Sequence, residues 1–81
     1  MHTPAKHRAL AAAIRRNRIE KGLTEADVAQ RMRVTVATLV RMEGGRRRID
    51  IIEYCRLAEA VGFDAVKLME QIFERRNRKR K

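Results

Sequence analysis

An all-α fold of five short helices is what this sequence predicts, and three observations predict it. Helix-starting and helix-stopping residues alternate along the chain at intervals of one short helix. Between them, apolar residues recur at three- and four-residue spacings, the period of a helix with one buried face. Val34–Val40 alone has strand-like composition, being rich in β-branched residues, and no second strand is available to complete its ladder. With 81 residues, 44% of them hydrophobic, the chain suits one domain and one modest core.

The first helix is expected over Ala5–Lys21. Thr3–Pro4 offers a cap followed by proline at the first helical position. Ala9, Ala11, Ala12 and Ala13 favour helix, and Leu10, Ile14 and the stem of Arg18 form one stripe before Gly22 ends it. Thr24 caps the second helix, Glu25–Met32, with Asp27 three positions on as in a capping box, and Val28, Ala29 and Met32 face inward. Thr35 caps the third, Val36–Glu43, which Gly44–Gly45 stop. A basic loop, Arg46–Arg47–Arg48, follows. Asp50 and Glu53 make a second box at the start of the fourth helix, which ends at Gly62. Asp64 caps the fifth, carrying Val66, Met69, Ile72 and Phe73. The domain is expected over residues 1–74, and the six bases of Arg75–Lys81, with no apolar group among them, read as a frayed or disordered tail.

Lys and Arg number 20 against 10 Asp and Glu, a net charge of +10. Such an excess repels itself, and its usual counterpart is a polyanion, nucleic acid before an anionic membrane. A membrane span needs about 20 apolar residues, whereas the longest uncharged run is Val34–Val40. The N-terminus leads into no secretory apolar run, and the lone Cys55 forms no internal disulfide, which together point to the cytoplasm. His2 and His7 do not share a helix face and have no third ligand nearby, so no metal or other cofactor is expected. Catalysis is not expected either, because Cys55 lacks a histidine partner and the carboxylates scatter among bases. The aromatic residues, Tyr54, Phe63 and Phe73, read as core or interface and supply no stacking platform for RNA.

Two eight-residue helices joined by Arg33–Val34–Thr35 match the helix-turn-helix unit, whose second helix enters the major groove of DNA. That second helix divides at 100° per residue into two flanks. Thr38, Leu39, Met42 and Glu43 face the core, and Val36, Ala37, Val40 and Arg41 face outward as the base-reading set. Arg41 is suited to the bidentate contact with guanine O6 and N7, while the other three read shape and thymine methyls. A half-site with one defined guanine beside thymines follows; the rival use of Val36 and Val40 is a protein contact. Phosphate contacts are expected from Arg33, Thr35, Thr38, Arg46, Arg47 and Arg48, flanked by Arg15, Arg16 and Lys21.

From Arg18 to Met69, about two thirds of the chain, the sequence resembles the Cro/phage-repressor helix-turn-helix family, also called XRE or lambda-repressor-like. The resemblance rests on the order and spacing of Arg18–Thr24, Val28–Ala29, Val34–Thr35 with Leu39, Arg41–Gly44, and Leu57–Phe63. It implies a compact five-helix domain that binds a roughly palindromic DNA operator as a homodimer and regulates transcription, as a repressor or autoregulator, by blocking or recruiting polymerase. It implies a bacterial or phage origin, and an interior ion pair between Arg18 and Glu43. Two departures stand out. Arg33 occupies the turn position where the family has glycine, and Glu25 stands where a phosphate-binding glutamine is common. Tyr54 replaces an aliphatic core residue, so its hydroxyl is expected at the surface. The surplus apolar residues of the fifth helix, Ile72 and Phe73, suit a two-fold interface that sets two recognition helices ~34 Å apart. The same size and fold also suit an antitoxin that binds a toxin protein, or a restriction-modification controller.

Overall fold

A computed structural model describes residues 4–78, and the side chains of those through Phe73. Among the described residues there are five helices and no strand: α1 (Ala5–Glu20), α2 (Glu25–Met32), α3 (Val36–Glu43), α4 (Ile51–Val61) and α5 (Ala65–Arg78). Both capping boxes form. Thr24 and Asp27 exchange side-chain and backbone bonds at α2, as Asp50 and Glu53 do at α4. The Thr35 hydroxyl accepts from Thr38 N at α3, and Asp64 Oδ1 accepts from Lys67 N at α5. Pro4 lies one position earlier than expected, as the residue preceding α1, while Thr3 lies outside the described residues. α5 continues through Arg78, across the boundary expected at residue 75; the remainder of the expected tail lies outside the described residues.

Every helix contributes to one core. Ile14 of α1, Val28 and Met32 of α2, Leu39 and Met42 of α3, and Leu57 of α4 are fully buried, and α5 adds Leu68 and Ile72. This burial decides the ambiguous stretch. Only as a helix does Val36–Glu43 turn Leu39 and Met42 inward together, and burying two such side chains outweighs a β preference spanning ~1 kcal/mol.

Four helix ends share one geometry, in which an amide beyond the helix bonds back to a carbonyl five residues earlier. Leu23 bonds to Arg18, Val34 to Ala29, Arg46 to Arg41 and Phe63 to Ala58. The left-handed residue that permits each is Gly22, Arg33, Gly45 or Gly62. Arg33 therefore carries a Cβ at φ 61°, where the other three helix ends have glycine. Arg33→Gly is expected to raise stability by about 1 kcal/mol, read as a higher denaturant midpoint at unchanged slope. An unchanged or lower midpoint would show that the turn carries no strain.

α2 and α4 also cap each other. Arg31 of α2 donates to Ala60 O near the end of α4 (2.7 Å), and Arg56 of α4 donates to Met32 O at the end of α2. Each guanidinium thus sits on carbonyls at the negative end of the neighbouring helix.

Two expectations are corrected. Tyr54 is buried, and its hydroxyl donates inward to Ala65 O at 2.5 Å instead of reaching the surface. The α4–α5 turn brings that carbonyl to the hydroxyl, and burial pushes the phenol pKa up. Ile72 is also a core residue, 8% exposed, and is not available as an interface side chain. α5 packs against α1, where Lys6 Nζ donates to Ile72 O (3.1 Å) and lies 4.7 Å from the Phe73 ring centroid. Phe73 itself is 53% exposed.

Candidate nucleic-acid interface

α3 is held from below. Leu39 and Met42 sit in the core, and Arg18 Nε of α1 donates to Glu43 Oε2 at 2.8 Å. Arg18 and Glu43 are 6% and 5% exposed, so this ion pair is shielded from water. The Arg18 guanidinium also donates to Leu23 O (2.9 Å) and lies 3.9 Å from the Glu25 carboxylate. Glu25 is therefore turned toward the scaffold cation. Glu43 Oε1 is buried without a hydrogen-bond partner, so breaking the one strong contact leaves the carboxylate with nothing.

The other flank of α3 is open. Val36 and Val40 are each 43% exposed, and Ala37 and Arg41 are exposed beside them. The four residues expected to read bases are thus together on one surface, and no part of the described chain covers it. Thr35 is exposed and Thr38 half-buried; the Thr35 hydroxyl donates to the Thr38 hydroxyl at 3.0 Å. Arg33, at the end of α2, and Arg46 and Arg48, after α3, are exposed. Among the described residues none of these three, nor Arg41, has an ion-pair partner.

Arg47 departs from the expectation. Its two terminal nitrogens close on the Glu53 carboxylate of α4 at 3.1 and 2.9 Å, so the two-pronged face of the guanidinium is already occupied within the chain. The fork holds the Glu53 carboxyl below its usual range and raises the Arg47 pKa. Arg18, Arg31, Arg47 and Arg56 each bond to another part of the fold. Part of the basic charge is therefore scaffold, while Arg33, Arg41, Arg46 and Arg48 stand exposed on α3 and beside its two ends.

Among the described residues no helix is long and apolar enough to cross a membrane, and no group of three or more His, Cys, Asp or Glu is placed to hold a metal ion. Cys55 is exposed and unpaired as a disulfide.

The sequence profile of a helix-turn-helix domain matches residues 9–70, which span α2, α3 and most of the core. The chain belongs to the helix-turn-helix family of transcriptional regulators. An uncharacterized HTH-type transcriptional regulator, YqaF of Bacillus subtilis (strain 168), is 30% identical over 59 residues, 73% of this chain and 78% of that protein. The clp gene regulator ClgR of Corynebacterium glutamicum is 28% identical with a TM-score of 0.79, covering 85% of this chain and 90% of that one. The restriction-modification controller protein C.AhdI of Aeromonas hydrophila shares the fold, at 21% identity and a TM-score of 0.69 over 78% of this chain and 94% of its own.

For this helix-turn-helix regulator, two residues that hold the loop after α3 escaped sequence reasoning. His7 Nε2 accepts from Ile49 N at 3.0 Å, tying the loop after α3 to α1. Glu53 both completes the α4 cap and receives Arg47. The second was signalled by the D-x-x-E box, whose glutamate has two oxygens and needs one for the cap; the first spans 42 positions and had no local signal.

Proposed function

We propose that this chain is a sequence-specific regulator that lays α3 in the major groove of duplex DNA and binds as a homodimer. The observation that carries the reading is the open flank of α3, with Val36, Ala37, Val40 and Arg41 side by side above a buried ion pair that fixes the helix angle. Arg41 supplies the donors for guanine O6 and N7, and the three apolar neighbours lie against thymine methyls. Arg33, Arg46 and Arg48 lie beside this flank in sequence and reach phosphates, and Thr38, whose hydroxyl oxygen accepts from Thr35, donates its one hydroxyl proton to another.

The dimer uses the apolar groove between α4 and α5. Ile51, Val66 and Phe73 are more than half exposed along it, with Met69 half-buried between. An apolar surface of this kind on a strongly charged chain suits an identical patch related by a two-fold axis. Phe73 keeps the interface role expected of it, and Val66 and Ile51 take the one expected of Ile72.

Selection from random duplex DNA tests the reading. The expected sites are roughly palindromic, with half-sites one helical turn apart and one fixed G·C pair in each. Arg41→Ala is expected to lose about 1–3 kcal/mol of discrimination at that pair while leaving other positions intact. Selected sites without a preferred G·C pair overturn the role of Arg41, and sites without symmetry overturn the dimer.

A further inference from the structure

The loop between α3 and α4 carries three consecutive arginines, Arg46, Arg47 and Arg48, and it is anchored at three points. At one end Gly45 lies against Arg8 of α1, where a Cβ would stand 3.4 to 3.8 Å from that residue's atoms. At the other, Ile49 N donates to His7 Nε2 of α1 (3.0 Å), and the half-buried Ile49 side chain packs on the core. Between them stands the fork of Arg47 on Glu53, from which Arg47 also donates to Arg48 O at 3.2 Å. Exposure alternates through the segment: Arg46 out, Arg47 half-buried, Arg48 out, Ile49 half-buried. Glu53 is itself fixed, because its Oε1 accepts from Asp50 N (3.1 Å) while its amide donates to Asp50 Oδ1 (2.7 Å).

We propose that Arg47 is a positioning residue for DNA binding: closed on Glu53, it holds the loop in the shape that offers Arg46 and Arg48 to phosphates, and it touches no phosphate itself. This rests on the DNA-binding reading above. Holding the loop before DNA arrives removes the ordering cost that flexible arginines would otherwise incur on binding. The assignment inverts the ordinary expectation for both partners. Arg47 is a cation whose loss does not change how many phosphates are neutralised. Glu53 is an anion near a polyanion's path whose loss weakens binding.

Equilibrium binding of the full chain to a mixed-sequence DNA duplex, measured by fluorescence anisotropy across a series of salt concentrations, reads both effects. Arg47→Ala is expected to weaken binding roughly fivefold at every salt concentration with the log–log slope unchanged. Arg46→Ala and Arg48→Ala are each expected to flatten that slope by about 0.9. Glu53→Gln keeps the α4 cap, because glutamine serves in a capping box, but loses the charged fork. It is expected to weaken binding by a similar factor although it removes a negative charge. The double variant is expected to bind no more weakly than either single one. A slope loss of about 0.9 in Arg47→Ala makes it an ordinary phosphate contact and overturns the proposal. Tighter binding by Glu53→Gln overturns it independently, should Arg47→Ala fail to fold. Wild-type chain that does not bind duplex overturns the DNA-binding reading and this one with it, whereas the other two failures leave that reading standing.

Discussion

Arg18→Ala is expected to cost about 3–5 kcal/mol, because it strands Glu43 in the core with no partner on either oxygen. The Glu43 carboxylate is 5% exposed, and Arg18 Nε is its one hydrogen-bond donor. Arg18 also donates to Leu23 O, so the substitution opens the α1–α2 turn as well. Against a total stability of about 4–12 kcal/mol for a chain of this length, a loss of that size leaves the domain marginal or unfolded. The melting midpoint is expected to fall by more than about 12 °C. Replacing both partners at once, Arg18→Met with Glu43→Leu, is expected to recover most of the loss, since the desolvation penalty disappears with the charges. A single substitution costing less than about 1 kcal/mol would show that the pair is wetter than its burial indicates.

Leu39→Ala is expected to cost about 2–5 kcal/mol, and its chain neighbour Val40→Ala within about 0.5 kcal/mol. Leu39 is fully buried where α3 meets the core, so truncation loses transfer free energy and leaves a cavity. Val40 lies on the open flank of α3 and is 43% exposed, so truncating it opens no enclosed cavity. Denaturant unfolding of the two variants should separate them cleanly. DNA affinity at matched folded fraction is expected to reverse the order: Val40→Ala removes the groove contact proposed for it, while folded Leu39→Ala keeps its outer flank. Equal destabilisation by both would place Val40 under a part of the chain and remove the groove-facing surface.

The helix boundaries were legible because their signals are local. The residues of a capping box lie three positions apart, and Thr24–Asp27 and Asp50–Glu53 form as read. The two flanks of α3 were legible for the same reason, since a 100° step fixes which of Val36–Glu43 share a side once the segment is helical. Arg18 and Glu43 were legible through resemblance alone; a pair 25 positions apart has no local signature. What failed was long-range or depended on a turn's path. The carbonyl that receives the Tyr54 hydroxyl arrives only because α5 folds back over α4. Ile72 and Phe73 are adjacent apolar residues, and only the packing of α5 on α1 decides that one is covered and the other is not. Arg47 read as one of three equivalent loop bases, when a glutamate six positions on distinguishes it.

The exchange of guanidinium groups between α2 and α4 has a consequence for how the molecule loosens. Fraying at the end of α4 takes away the acceptor of Arg31, and fraying at the end of α2 takes away that of Arg56. Neither last turn gains freedom without loosening a bond anchored on the other helix, so the two open as one cooperative unit. Amide protons in both turns are accordingly expected to escape to solvent through the same rare event, and α2 is spared the piecemeal melting common to eight-residue helices.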